Sequence, residues 1–220
     1  RKEGFSSLVE AMNLHACMFG RNERAVTMAQ NEDEMKVHRD RIDGFLKNMG
    51  TSEIKFNVIL ENENQKEFEF PDTGSKFWLG TAGSTTFGRS RDITRLHCTE
   101  VAHYKDQGVL TGVLNACVDS AWRVFETTAN GMERFYQLWI EAIDKSAGSV
   151  WKPHFFSWFD DPTNVQKIAD MYRMPQRWMK MAKTHKLSVS QVAWYDQKYS
   201  EQTDKALMCQ EFPSTATEAF

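Results

Sequence analysis

The chain predicts an α/β fold, a mostly parallel sheet flanked by helices, followed by a smaller, mostly helical C-terminal part. Three observations carry this prediction. Short apolar strand candidates alternate with helical periodicities from residue 6 to residue 144, the order of βαβ units that build parallel sheets. The loops that combine glycine, hydroxyl and acidic residues fall where such sheets place ligands, at the carboxyl ends of the strands. Beyond Gly148 the texture changes to aromatic stretches and short helical segments interrupted by proline.

Taken in order, residues 6–19 read as a helix with Leu8, Met12 and Phe19 among its apolar positions, ended by Gly20 and Asn22. Residues 25–29 are a short buried strand. Residues 32–49 form an amphipathic helix with Met35, Val37, Ile42, Phe45 and Leu46 set among charges, and Gly50 ends it. Residues 62–70 are polar and charged and predict an exposed hairpin. A strand at 76–81 leads to the Gly-Ser-Thr loop at 83–86. Then come a strand at 95–98, a helix at 108–118, a strand at 122–126, and a helix at 132–144 carrying Phe135, Leu138, Trp139 and Ala142. Residues 151–159 are aromatic and extended, and Asp160-Asp161-Pro162 is a turn. Three or four short helices follow, broken by Pro175 and capped at Ser188, and residues 211–220 close the chain with a Pro-Ser-Thr segment. The expected division is a sheet domain over residues 1–148 and a subdomain over 149–220.

Composition sets bounds. The chain has 220 residues, room for one good core and a small appended subdomain. Apolar residues at 41% and charged residues at 26% are ordinary for a globular protein. A net charge of −3 gives no global basic field, so tight nucleic-acid binding does not follow from charge alone. Cys17, Cys98, Cys117 and Cys209 form no C-x-x-C pair, which favours reduced, mostly buried thiols over a metal site or a disulfide framework. No apolar run approaches the roughly 20 residues of a membrane span, and no signal peptide is visible. The chain opens on Arg1, inside a motif, so a fragment is expected and missing targeting signals carry no weight.

Three loops carry the chemistry. The first is Arg1-Lys2-Glu3-Gly4-Phe5-Ser6-Ser7. Gly4 lets backbone amides approach a phosphate, and the helix that follows points its N-terminal dipole there. Ser6 stands where a phosphate-loop hydroxyl binds Mg²⁺, and Arg1 or Lys2 can neutralise phosphate charge. Phe5 occupies the place of the usual lysine. The plainer alternative is an ordinary helix start capped by Ser6 or Ser7.

The second loop follows Ile93-Thr94-Arg95-Leu96-His97-Cys98-Thr99-Glu100. A carboxylate at Glu100 can orient or deprotonate an attacking water, and a solvated acid capping the next loop is the competing reading. Thr99 stands where a Walker-type acid would, and its hydroxyl can hold a metal-bound water. The third loop ends Val124-Phe125-Glu126-Thr127-Thr128-Ala129-Asn130-Gly131. Hydroxyls at Thr127 and Thr128 could sense a γ-phosphate, or the Asn-Gly turn could simply join strand to helix. Arg89, in Phe87-Gly88-Arg89-Ser90, sits on a glycine loop from which an arginine can stabilise transition-state charge; a solvated surface arginine is the alternative. His97 and His103 flank Glu100 at spacings of three, but a strand separates their faces, so structural roles are expected for both. Trp151, His154, Phe155, Phe156, Trp158 and Phe159 could stack bases, although packing is the more economical use of them.

In shared order and spacing these pieces resemble the large terminase subunit of tailed bacteriophages, the ATP-driven DNA-packaging motor. The matching pieces are Arg1 to Ser7, Gly88-Arg89-Ser90, Leu96-His97-Cys98-Thr99-Glu100-Val101-Ala102, Glu126 to Gly131 with the aromatic helix from Phe135 to Trp139, Trp151 to Trp158, and the closing Gln210 to Ser214 and Glu218 to Phe220. The resemblance implies a P-loop NTPase (ASCE/RecA-like) sheet with its N-terminal part missing and a linker subdomain leading to an absent nuclease domain, so no cutting activity is expected. It implies ATP and Mg²⁺ as cofactors. Arg1, Lys2, Gly4, Ser6 and Ser7 would bind phosphate, Ser6 and Thr99 the metal, and Glu100 would be the catalytic carboxylate with Arg89 an arginine finger. Thr127 and Thr128 would form the coupling motif. Implied partners are viral double-stranded DNA, the portal protein, the small terminase subunit and further copies in a ring on the portal, with no membrane. The implied location is the host cytoplasm, in transient association with the procapsid and outside the mature virion. The competing functions are a catalytically incomplete scaffold that binds DNA or portal, and a related helicase-like ATPase.

Overall fold

A computed structural model describes residues 4–49, 66–83, 92–106, 108–144, 148–168 and 171–220. Arg1, Lys2, Arg89 and most of the Gly-Ser-Thr loop lie outside them. The described residues divide into two compact units, one running to Thr127 and one from Thr128 to Phe220.

The first unit is built on a five-stranded sheet in the order β2-β3-β1-β4-β5. Its elements are α1 (Phe5–Phe19), β1 (Arg24–Ala29), α2 (Glu32–Asn48), β2 (Glu67–Phe70), β3 (Ser75–Thr81), β4 (Ile93–Thr99), α3 (Gly108–Asn115) and β5 (Cys117–Glu126). β3, β1, β4 and β5 run parallel, and β2 is antiparallel to β3 at one edge. All four parallel strands therefore end on one side, at Thr81, Ala29, Thr99 and Glu126. α2 starts well because Asn31 accepts from the amides of Asp33 and Glu34 and three acids fill its first turn.

The core of this unit packs α1 and α2 on the β2-β3-β1 part of the sheet. Leu14, Cys17, Met35, Ile42, Phe68, Phe77 and Leu79 are its buried members. The structure fixes which helix faces turn inward and changes two expectations. Leu8, Met12 and Phe19 are 55%, 42% and 58% exposed; the buried face of α1 is instead Val9, Glu10, Asn13, Leu14, Cys17 and Met18. Apolar residues occur all round this helix, so spacing alone does not choose its inner face. On α2, Val37 is exposed while Met35, His38, Arg39 and Ile42 face inward, because these fall three or four residues apart. The segment read as an exposed hairpin contributes β2, whose Phe68 and Phe70 are buried by the two-residue alternation Glu-Phe-Glu-Phe. The helix expected over 108–118 stops at Asn115, because β5 starts at Cys117, which pairs with Ile93 of β4.

The second unit holds α4 (Arg134–Ile143), α5 (Gln176–His185), α6 (Val189–Glu201), α7 (Ala206–Glu211) and α8 (Ala216–Ala219). Its centre is Trp158, only 2% exposed, packed with Tyr195 and Met208 and stacked on Trp194 at 5.6 Å. The Trp158 indole donates to the Ser214 hydroxyl at 3.3 Å. Trp158 and Phe159 thus pack within the unit, whereas Phe156 stays exposed. Ser188 caps α6 reciprocally with Gln191, as its sequence position predicts. Phe220 packs on Phe135, Tyr136 and Trp139 of α4.

Candidate functional site

Gly4 starts α1 with φ 76° and ψ 13°, a left-handed conformation, and a side chain added there would meet nothing within 4 Å. The plainer serine-cap reading fails: no side chain caps α1 and no acid stands in its first turn. A 15-residue helix thus offers amide donors and the positive end of its dipole at an open turn. Ser7 lies half-buried in that turn. Ser6, in the same turn, lies close enough to the Glu126 carboxylate at the end of β5 to help draw it down.

That contact belongs to a polar network under the carboxyl edge of the sheet. Ser6, Glu10 and Asn13 follow one another at helical spacing on one face of α1, and Glu10 and Asn13 are fully buried. β4 alternates Arg95, His97 and Thr99 on this face with Leu96 and Cys98 on the other. Arg95 donates to Asn13 at 3.3 Å, and its guanidinium lies 4.7 Å from the Trp122 ring centroid. His97 Nε2 is 3.0 Å from Glu126 Oε1, and its Nδ1 is 3.4 Å from the Thr27 hydroxyl. His38 Nε2 is 3.2 Å from the Thr99 hydroxyl, and its Nδ1 meets the Glu10 carboxylate. Arg41 donates to the other Glu10 oxygen at 2.8 Å.

Assigning each histidine one hydrogen accounts for its hydroxyl and carboxylate contacts. His97 carries hydrogen on Nε2, donating to Glu126, and accepts from Thr27. His38 carries hydrogen on Nδ1, donating to Glu10, and accepts from Thr99. Burial pushes the Glu126 carboxyl up, but the hydrogen bonds from His97 and Ser6 outweigh burial. Glu126 is therefore held below the ordinary glutamate range and stays ionised at neutral pH.

Glu100 follows β4 directly, at φ 51° and ψ 42°. A non-glycine residue held in the left-handed region costs on the order of 1–2 kcal/mol and occurs preferentially where function demands it. The turn leaves the carboxyl about 40% exposed. Thr127 donates to it at 3.4 Å and accepts the Ala102 amide at 3.3 Å. His103 Nε2 lies 3.9 Å from the same oxygen. Thr99 and Glu126 are direct register partners across β4 and β5. Ser6, Thr99, Glu100, Glu126 and Thr127 therefore form one continuous edge. Thr128 opens the second unit.

The oxygen donors here, a serine hydroxyl and carboxylates, suit Mg²⁺, which takes one or two protein ligands and keeps the rest of its shell for water and phosphate. Among the described residues no group of three or more His, Cys, Asp or Glu side chains could hold a metal by itself. No helix among them is long and apolar enough to cross a membrane. Sequence reasoning does not reach Glu10, His38, Arg41 and Glu126 as site residues, and it reads His97 as structural. The available signals were the polar spacing Ser6–Glu10–Asn13 and the alternation Arg95–His97–Thr99 inside otherwise apolar elements.

The sheet is mostly parallel and flanked by helices, with a helix start and carboxylates at its carboxyl edge. The chain has the fold of bacteriophage large terminase ATPase domains. The large terminase ATPase domain of Thermus phage P74-26 aligns over 97% of this chain and 84% of that one, at TM-score 0.63 and 11% identity. The large terminase of bacteriophage HK97 aligns over 97% of this chain and 44% of that one, at TM-score 0.66 and 13% identity. A thermophilic bacteriophage large terminase in complex with ADP aligns over 94% of this chain and 44% of that one, at TM-score 0.56 and 14% identity. This chain therefore spans under half the length of the two full terminases. No family model and no curated protein sequence matches it.

Proposed function

We propose that the chain is the ATPase part of a large terminase subunit, hydrolysing ATP to drive viral double-stranded DNA into a procapsid. One observation carries the reading: the start of α1 and the strained Glu100 lie on one sheet edge, with Glu126 in register beside Thr99 and Thr127 donating to Glu100. The ADP complex of a terminase with this fold supports a nucleotide ligand.

In this reading the phosphates lie at the N-terminus of α1, where Gly4 gives the backbone close approach and Arg1 and Lys2 supply charge. Ser6 and Thr99 serve the metal. Bound Mg²⁺ would neutralise charge on the phosphate oxygens. Glu100 orients the attacking water and accepts its proton, with the Thr127 hydroxyl steadying the carboxylate. Thr127 and Thr128 couple the site to the second unit by the shortest covalent route, since Thr127 touches Glu100 and Thr128 begins that unit. Arg89 acts as an arginine finger, in cis or across a subunit interface. The partners are DNA, the portal protein, the small terminase subunit and further copies in a ring, in the host cytoplasm at the procapsid.

The test is ATP turnover by the full chain carrying Glu100→Gln. Loss of water activation should lower turnover by about 10²–10⁴-fold with nucleotide binding retained. Turnover within a few-fold of wild type would remove Glu100 from this role.

A further inference from the structure

We propose that Glu126 is a positioning residue for the nucleotide's divalent cation, supplying beside Ser6 the carboxylate that Thr99 lacks. The inference rests on the nucleotide-site reading above and assigns a role to a residue that reading leaves idle. Phosphate-loop sites hold their cation with a loop hydroxyl and a strand-end acid. Here the strand-end position is Thr99, which carries no charge. Its direct register partner is Glu126, one strand away at a spacing of about 4.8 Å. Ser6, in the first turn of α1, lies near that residue.

The geometry gives the contact a purpose. A serine hydroxyl has one hydrogen and two acceptor lone pairs. A serine that gives its hydrogen to Glu126 keeps both lone pairs for a cation. Glu126 is itself fixed: His97 holds one carboxylate oxygen at 3.0 Å, and Thr27 lies 3.4 Å behind the ring. The Glu126 side chain nevertheless keeps 22% of its surface exposed, so its carboxylate reaches water that a hydrated cation could share.

ADP titration calorimetry on the full chain, with and without Mg²⁺, tests this. Glu126→Gln is nearly isosteric and removes the charge. It should cut the Mg²⁺ enhancement of ADP affinity by about 10-fold or more, the range seen when groups supporting metal ligands are removed. Metal-free ADP affinity should stay unchanged, which a general loss of structure would not allow. If the Gln variant does not fold, Glu126→Asp carries the test, because the shortened side chain withdraws from Ser6 and the enhancement must fall. A wild-type Mg²⁺ enhancement in the folded variant overturns the proposal while leaving the nucleotide site standing. Failure of the wild-type chain to bind ADP at all overturns both.

Discussion

Glu10 is the most exposing residue to mutate, because it has no contact with solvent. Its carboxylate lies between His38 and Arg41, and a buried charge is tolerable only while its partners stay in place. His38→Ala leaves Glu10 with Arg41 alone and strips the Thr99 hydroxyl of its nearest partner. The expected cost is about 3–5 kcal/mol in chemical denaturation. Replacing both members by apolar residues of similar volume, Glu10→Met with His38→Leu, should recover most of that loss. If His38→Ala proves nearly neutral, the network is not a unit. Glu100 stands at the other extreme: partly exposed and held in a left-handed turn, it is a residue for which stability is given up at the sheet edge.

At the scale of elements, α5 and α6 are tied by Asp196, which accepts from the Arg177 guanidinium and the Trp178 indole, both at 2.6 Å. Burial pushes the Asp196 carboxyl up, but these hydrogen bonds and the Arg177 charge bring it below its ordinary value. The sign follows: a depressed carboxylate contributes stability above the unfolded value, near pH 4, and loses it as pH falls through the folded one. The pair faces solvent, so screening keeps the contribution small. Thermal melts should therefore show a slightly steeper acid loss for wild type than for Asp196→Asn, and the difference should shrink in high salt. Identical acid profiles would remove the pair from the stability of this unit. α1 teaches a different lesson at this scale. It was legible as a helix, but its inner face was not, since Leu8, Met12 and Phe19 are as apolar as the buried Val9, Leu14, Cys17 and Met18.

At the scale of the molecule, the proposed nucleotide site belongs to the unit that ends at Thr127. A ligand that binds only the native state stabilises it by mass action, by about 2.7 kcal/mol at 100 times its dissociation constant. Saturating Mg²⁺ and ADP should therefore slow hydrogen exchange at the carboxyl ends of β4 and β5 and in the first turn of α1. Unchanged exchange there would place the nucleotide elsewhere or remove it. The aromatic cluster around Trp158 offers an internal reference, since its amides belong to the other unit.

Local chemistry was enough to establish the elements and their order. Two-residue and helical periodicities, capping at Ser188 and the placement of Gly4, Glu100 and Thr127 at element ends are short-range signals, readable without a fold. Which side chains meet was decided only in three dimensions. Glu10 with His38, Thr99 with His38, and Glu126 with Ser6 and His97 lie far apart in the chain, and each pairing depends on strand register and on which helix face turns inward. Register across parallel strands is set by packing between whole elements, so no spacing within the sequence encodes it.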